Sequence, residues 1–94
     1  MNETEKAKQK LLSAIEAIDK ELAARSVHHG VSVAQLTHFR LVLSEMLQEV
    51  KTDCVPPRPN RRGGIGRVII DSWPYDYPLG ETIIDAEQAY ADLS

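Results

Sequence analysis

With 94 residues, the chain has room for one domain and one small core, hiding roughly 60–68% of the surface that its unfolded form exposes. Apolar residues make up 43% and charged residues 27%, enough to fold and without the bias of a disordered or membrane-embedded chain. The net charge of −3 gives no overall attraction to nucleic acid or to an anionic bilayer.

The first ten residues, MNETEKAKQK, are polar and mixed in charge. They contain no apolar signal core, and no later run approaches the ~20 apolar residues that span a bilayer. Cys54 has no second cysteine to pair with, which fits a reducing cytoplasm. The expectation is therefore a cytoplasmic protein.

Residues 3–24 read as the first helix. Leu11, Ile15, Ile18 and Leu22 recur at helical period, widened by Leu12, Ala14 and Ala23, and no Gly or Pro interrupts them. Residues 1–8 offer the core no apolar partner and are expected to fray. The segment RSVHHGVS then breaks the pattern, with Gly30 free to take a left-handed conformation. Ser32 reads as an N-cap, and Gln35 three residues on completes a capping box. The second helix is expected over 33–50, with a stripe of Val33, Leu36, Phe39 or Arg40, Leu43, Met46, Leu47 and Val50. A short loop between two helices makes them an antiparallel hairpin.

KTDCVPPRPN ends that helix, because three prolines within four residues favour an extended path. Residues 51–64 are read as a Pro/Arg/Gly-rich connection. The following GGIGRVIIDSW admits two readings. Val68, Ile69 and Ile70 alone suggest a strand, paired with CVPPRP as a two-stranded ribbon. Ile65, Val68, Ile69 and Trp73 also fall on one helix face, and a lone strand lacks a partner, so a short helix is preferred. The last helix is expected near 79–93. Pro78 suits its first turn, Glu81 suits the positive end of its dipole, and Leu79, Ile83, Ala86, Tyr90 and Leu93 form its seam. The expected fold is all-α, a small single-domain bundle of three long helices plus one short helix. Its core is Leu11, Ile15, Ile18, Leu22, Leu36, Phe39, Leu43, Leu47, Val68, Ile83, Ala86 and Tyr90.

Several patterns invite a chemical reading. RRGGIGR resembles a loop whose backbone amides cradle a phosphate. It lacks the Gly-Lys-Ser/Thr of a P-loop, and prolines stand where a dinucleotide-binding unit needs a strand. A tight turn, with arginines that are solvated or pair with acids of the last helix, accounts for it better. Arg58, Arg61, Arg62 and Arg67 with Trp73, Tyr75 and Tyr77 suggest nucleic-acid contact. Against this, residues 68–94 carry six acids and no Lys or Arg, which would repel a phosphate backbone. Glu81 and Asp85 share a helix face, but no His or Cys lies near them in sequence. A solvated acidic face is the better account of that pair. His28, His29 and His38 read as loop and surface residues without metal spacing. No catalytic set, metal or cofactor is expected. Trp73 reads as core or as a partner contact, and Tyr90 as core with its hydroxyl at the edge.

The segment DSWPYDYP and the acidic helix after it stand out. Tyr and Trp give large contact area at low entropic cost, prolines fix a loop before binding, and acids steer a basic partner. Asp71, Trp73, Tyr75, Asp76, Tyr77, Glu81 and Asp85 are therefore the expected partner-binding residues.

QLTHFRLVL, IGRVIIDSW, the acidic proline-containing break and LGETIIDAEQAY together resemble the small immunity proteins that bacteria make against type VI secretion effectors, in particular NAD-degrading toxins. The likeness runs roughly from Val33 to Leu93; the PPRPNRRGG segment departs from the family pattern. The resemblance implies an all-α cytoplasmic protein without enzymatic activity. Its partner would be a cognate toxin domain whose active site, or the path to it, it blocks. The alternative is a small regulatory or adaptor domain that binds nucleic acid or a protein through the Arg58–Arg67 cluster.

Overall fold

The computed structural model describes residues 2–24, 31–57, 64–74 and 77–93. They form four helices: α1 (Glu3–Ala24), α2 (Val33–Lys51), α3 (Ile65–Ser72) and α4 (Pro78–Ala91). The fold is all-α, with three long helices and one short one, and no strand occurs among the described residues. The ribbon alternative for residues 65–70 is thereby set aside: the i, i+4 ladder satisfies their backbone groups without a partner strand.

Helix α1 is central and packs against both α2 and α4, while α3 packs on α4. Lys6 shares one groove with Ala89, and Lys10 and Ser13 share another with Thr82 and Asp85, so α1 and α4 run antiparallel. One end of the bundle gathers Glu3, Val50, Val55 and Leu93. The other gathers Phe39, Trp73 and Tyr77, whose rings stack at centroid distances of 5.7 Å (Phe39–Trp73) and 5.2 Å (Trp73–Tyr77). Between these ends Leu11, Ile18, Leu36, Leu43, Met46, Ile83 and Tyr90 are fully enclosed.

Helix boundaries follow local chemistry. The Ser32 side chain accepts a hydrogen bond from the Gln35 amide at 3.0 Å, which is half of the expected capping box. The Gln35 side chain does not close the box. Its Oε1 accepts from the Trp73 indole at 2.8 Å and ties α2 to the end of α3. At the other end of α2, Asp53 takes a left-handed φ of 55°. Cys54 donates to the Glu49 carbonyl and Asp53 to that of Val50, the paired bonds of a Schellman turn. Pro78 opens α4, and Gly64 precedes α3 with φ 90°, a value that suits glycine.

Three core expectations need correction. Val68 is 39% exposed, because α3 turns Ile65, Gly66 and Ile69 inward instead. Leu22 is only half-buried against the core. Val33, placed on the α2 stripe, is exposed in the first turn. At the N-terminus, helix begins at Glu3 and Ala7 is fully buried, so the first turns do contribute an apolar contact. Gly30 and the rest of 25–30 lie outside the described residues, as does the part of the 51–64 connection at 58–63.

No described helix is long and apolar enough to cross a membrane. Asp19 on α1 and Arg40 on α2 form a two-pronged ion pair, at 2.5 Å (Nε–Oδ1) and 3.2 Å (Nη2–Oδ2). The Arg40 hydrogen bond holds the Asp19 carboxyl below the usual range, and the same bond raises Arg40. Both side chains are open to water, so the pair positions the hairpin more than it stabilises it.

Candidate functional site

Helix α3 lies on α4 in the opposite direction, with Gly66 against Ile84 and Glu87, and Ile69 and Trp73 against Gly80. The approach is close because neither glycine has a side chain. A Cβ on Gly80 would stand 3.0 Å from Ile69 Cγ2 and 3.3 Å from Trp73 Cε3. One on Gly66 would stand 3.1 Å from Glu87 Oε1.

Glu87 does what the glycine-arginine motif promises to an external anion. Its two carboxylate oxygens accept from the amides of Ile65 (2.9 Å) and Gly66 (3.1 Å), at the positive end of α3. The anion seated on this helix is thus a side chain of the chain itself, which opposes the phosphate-loop reading. Replacing Glu87 by Gln removes the charge and turns an amide NH₂ toward one of two N–H donors. The expected loss of stability is about 1–3 kcal/mol, measured as a lowered urea midpoint. An unchanged midpoint would show that Glu87 is not what docks α3.

The flank of this helix pair forms a cleft of about 250 Å³ lined by Ile69, Ile70, Trp73, Pro74, Tyr77, Gly80, Glu81 and Ile84. The cleft overlaps the segment 71–85 marked out by the sequence and also takes in Ile69 and Ile70 before it. Of the two readings open for Trp73, its burial is that of a core residue. Trp73 and Tyr77 are only 5% and 7% exposed, so they are not protruding anchors. Their rings pack against each other, and that of Trp73 against Phe39, in tilted pairs. Both also line the cleft. Asp71, Glu81 and Asp85 are exposed as expected. Tyr75 and Asp76 lie outside the described residues.

The acids do not form one uncompensated sheet of charge. Asp85 shares a shallow groove of about 470 Å³ with Lys6, Gln9, Lys10, Ser13 and Thr82. Glu87 is consumed by α3, and Asp92 accepts from Gln88 at 2.9 Å. Among the described acids, Glu81 alone lines the cleft. Two contributors escaped the sequence reading, Ile70 and Ile84. Ile70 is 60% exposed, and its place beside Ile69 in an unbroken apolar run hides that it falls off the buried face. The Tyr90 hydroxyl donates to Glu49 Oε1 at 2.6 Å, as a core residue with its polar tip at the edge should. His38 is exposed on α2, and no metal-binding cluster occurs among the described residues. Of the Arg58–Arg67 cluster, only Arg67 is described, exposed on α3.

No protein-family model matches the chain, and no curated protein matches it.

Proposed function

We propose that this chain is a non-catalytic immunity protein: it binds a cognate bacterial toxin domain through the α3–α4 face and blocks that domain's active site. The observation that carries the reading is the cleft itself, where exposed Ile70 and the buried aromatics Trp73 and Tyr77 meet the acid Glu81, with exposed Asp71 next to Ile70 in sequence. An apolar centre with a charged rim is the anatomy of a protein-binding surface. The family resemblance of residues 33–93 supplies the partner class. It also supplies the cytoplasmic setting and the type VI context. Acids at the rim would meet a toxin whose active site is basic because it grips phosphate-bearing substrates, and would occupy that substrate's place.

The test is inhibition of the toxin domain encoded beside this chain's own gene. Stoichiometric addition of the protein should abolish toxin activity. Glu81→Lys should slow association about tenfold or more, most strongly at low salt where the field is least screened. Its far-UV spectrum should stay unchanged, since Glu81 is exposed. A toxin domain that keeps full activity and forms no complex would defeat the proposal. Salt-sensitive binding of nucleic acid by the protein alone would favour the adaptor reading through Arg58–Arg67.

A further inference from the structure

Ile70 is the most exposed of the large apolar side chains on the described surface. It also lines a concave site together with Ile84, Trp73 and Pro74. The volume of about 250 Å³ lies below the ~300–1,000 Å³ of pockets that enclose small-molecule ligands. It suits one or two side chains of another protein. The lining is fixed in advance. Gly80 is pinned under Ile69 and Trp73, and the Trp73 indole is held by Gln35. Little ordering cost remains to be met on binding.

Charge narrows the occupant. Glu81 is the one charged side chain lining the cleft among the described residues. Asp71 adjoins Ile70 on α3 and is exposed, whereas Asp85, one turn after Glu81, lines the separate groove with Lys6 and Lys10. Arg67, one turn before Asp71, is exposed but does not line the cleft. A ligand carrying phosphate or carboxylate would place like charge beside Glu81 and be repelled.

From this juxtaposition we infer that the cleft receives a protein segment presenting an aliphatic side chain followed closely by Lys or Arg. The aliphatic group enters between Ile70 and Ile84, and the cation meets Glu81. The inference rests on the reading of the chain as a protein-binding protein and adds the chemistry of the bound segment. A short amphipathic helix offers that pairing at i and i+3 or i+4, a common way for a segment to fill a groove.

Two probes test it on the full chain: a short Leu/Lys amphipathic peptide and its Leu/Glu counterpart of identical apolar pattern. Each is titrated into labelled protein and followed by NMR. The Lys probe should shift signals of Ile70, Gly80, Glu81 and Ile84, and bind about tenfold or more tightly than the Glu probe, with the gap shrinking as salt rises. Ile70→Asp and Glu81→Lys should each weaken the Lys probe by a similar factor, and Ile70→Ser serves if the aspartate disturbs the fold. Equal affinity for both probes would overturn the inference. So would shifts centred on another exposed patch such as Val33 and Leu41, or self-association of the protein through the cleft. If the toxin domain is inhibited but ignores Ile70→Ser and Glu81→Lys, this inference fails together with the assignment of the α3–α4 face, while toxin neutralisation itself stands. If the Lys probe binds in the cleft while no toxin complex forms, the reverse holds.

Discussion

Replacing Trp73 by alanine is expected to lower stability by about 3–5 kcal/mol, the usual cost of emptying a buried aromatic site. Trp73 is 5% exposed and is packed between the rings of Phe39 and Tyr77. It also approaches Gly80 closely. Three helices therefore meet on this one side chain, although it lies just beyond the end of α3. The substitution also strips Gln35 of the indole donor at 2.8 Å. Gln35 is half-buried, so water can replace that bond, and most of the loss comes from packing. Because the chain has a single tryptophan, unfolding of the variant has to be followed by far-UV circular dichroism. Phenylalanine at the same position should recover much of the loss, since it keeps a stacking ring. A cost below about 1 kcal/mol for the alanine variant, within the range of ordinary surface changes, would mean that Trp73 is a partner contact and not a core residue.

The long helices were legible in the sequence because each carries several turns of apolar repeat. The sequence showed α1, α2 and α4 and most of the residues they bury. It also showed the Ser32 cap and the opening of α4 at Pro78, which depend on neighbours a few residues away. Helix α3 was harder to read. Over eight residues, Val68 and Gly66 compete for the inward position, and hydrophobicity alone favours Val68. The structure favours Gly66, because the backbone there must come within hydrogen-bonding reach of Glu87 on α4. That contact joins residues 21 apart, so no local pattern announces it. The same limit applies to the aromatic cluster. Seen only beside its prolines and acids, Tyr77 reads as an interface residue, and Trp73 stays open between core and partner contact. Phe39 and Gln35, on a helix remote in sequence, pack on Trp73, and Trp73 in turn packs on Tyr77. The acidic character of residues 68–94 was correct as a count but not as a surface. Docking of α3 consumes Glu87, and docking of α1 brings Lys6 and Lys10 into the groove that holds Asp85.

Leu43→Ala tests whether the whole bundle is one cooperative unit. Leu43 is fully buried on α2, between the aromatic end at Phe39 and the opposite end where Glu49 receives the Tyr90 hydroxyl. Truncating it leaves a cavity that a close-packed core fills only in part, and the expected cost is about 2–5 kcal/mol. The variant keeps Trp73, so two probes are at hand. Trp73 fluorescence reports from one end of the core, and far-UV circular dichroism reports all four helices. In a two-state domain both transitions should move to lower urea together, with the slope unchanged. A shift within error would show that the α2 stripe is not buried as described. Transitions that separate, with fluorescence lost first, would show that α3 and the Trp73 end open independently of the three long helices. In that case the cleft would sit on the least stable part of the molecule, and a bound partner would raise the stability of that end more than that of the rest.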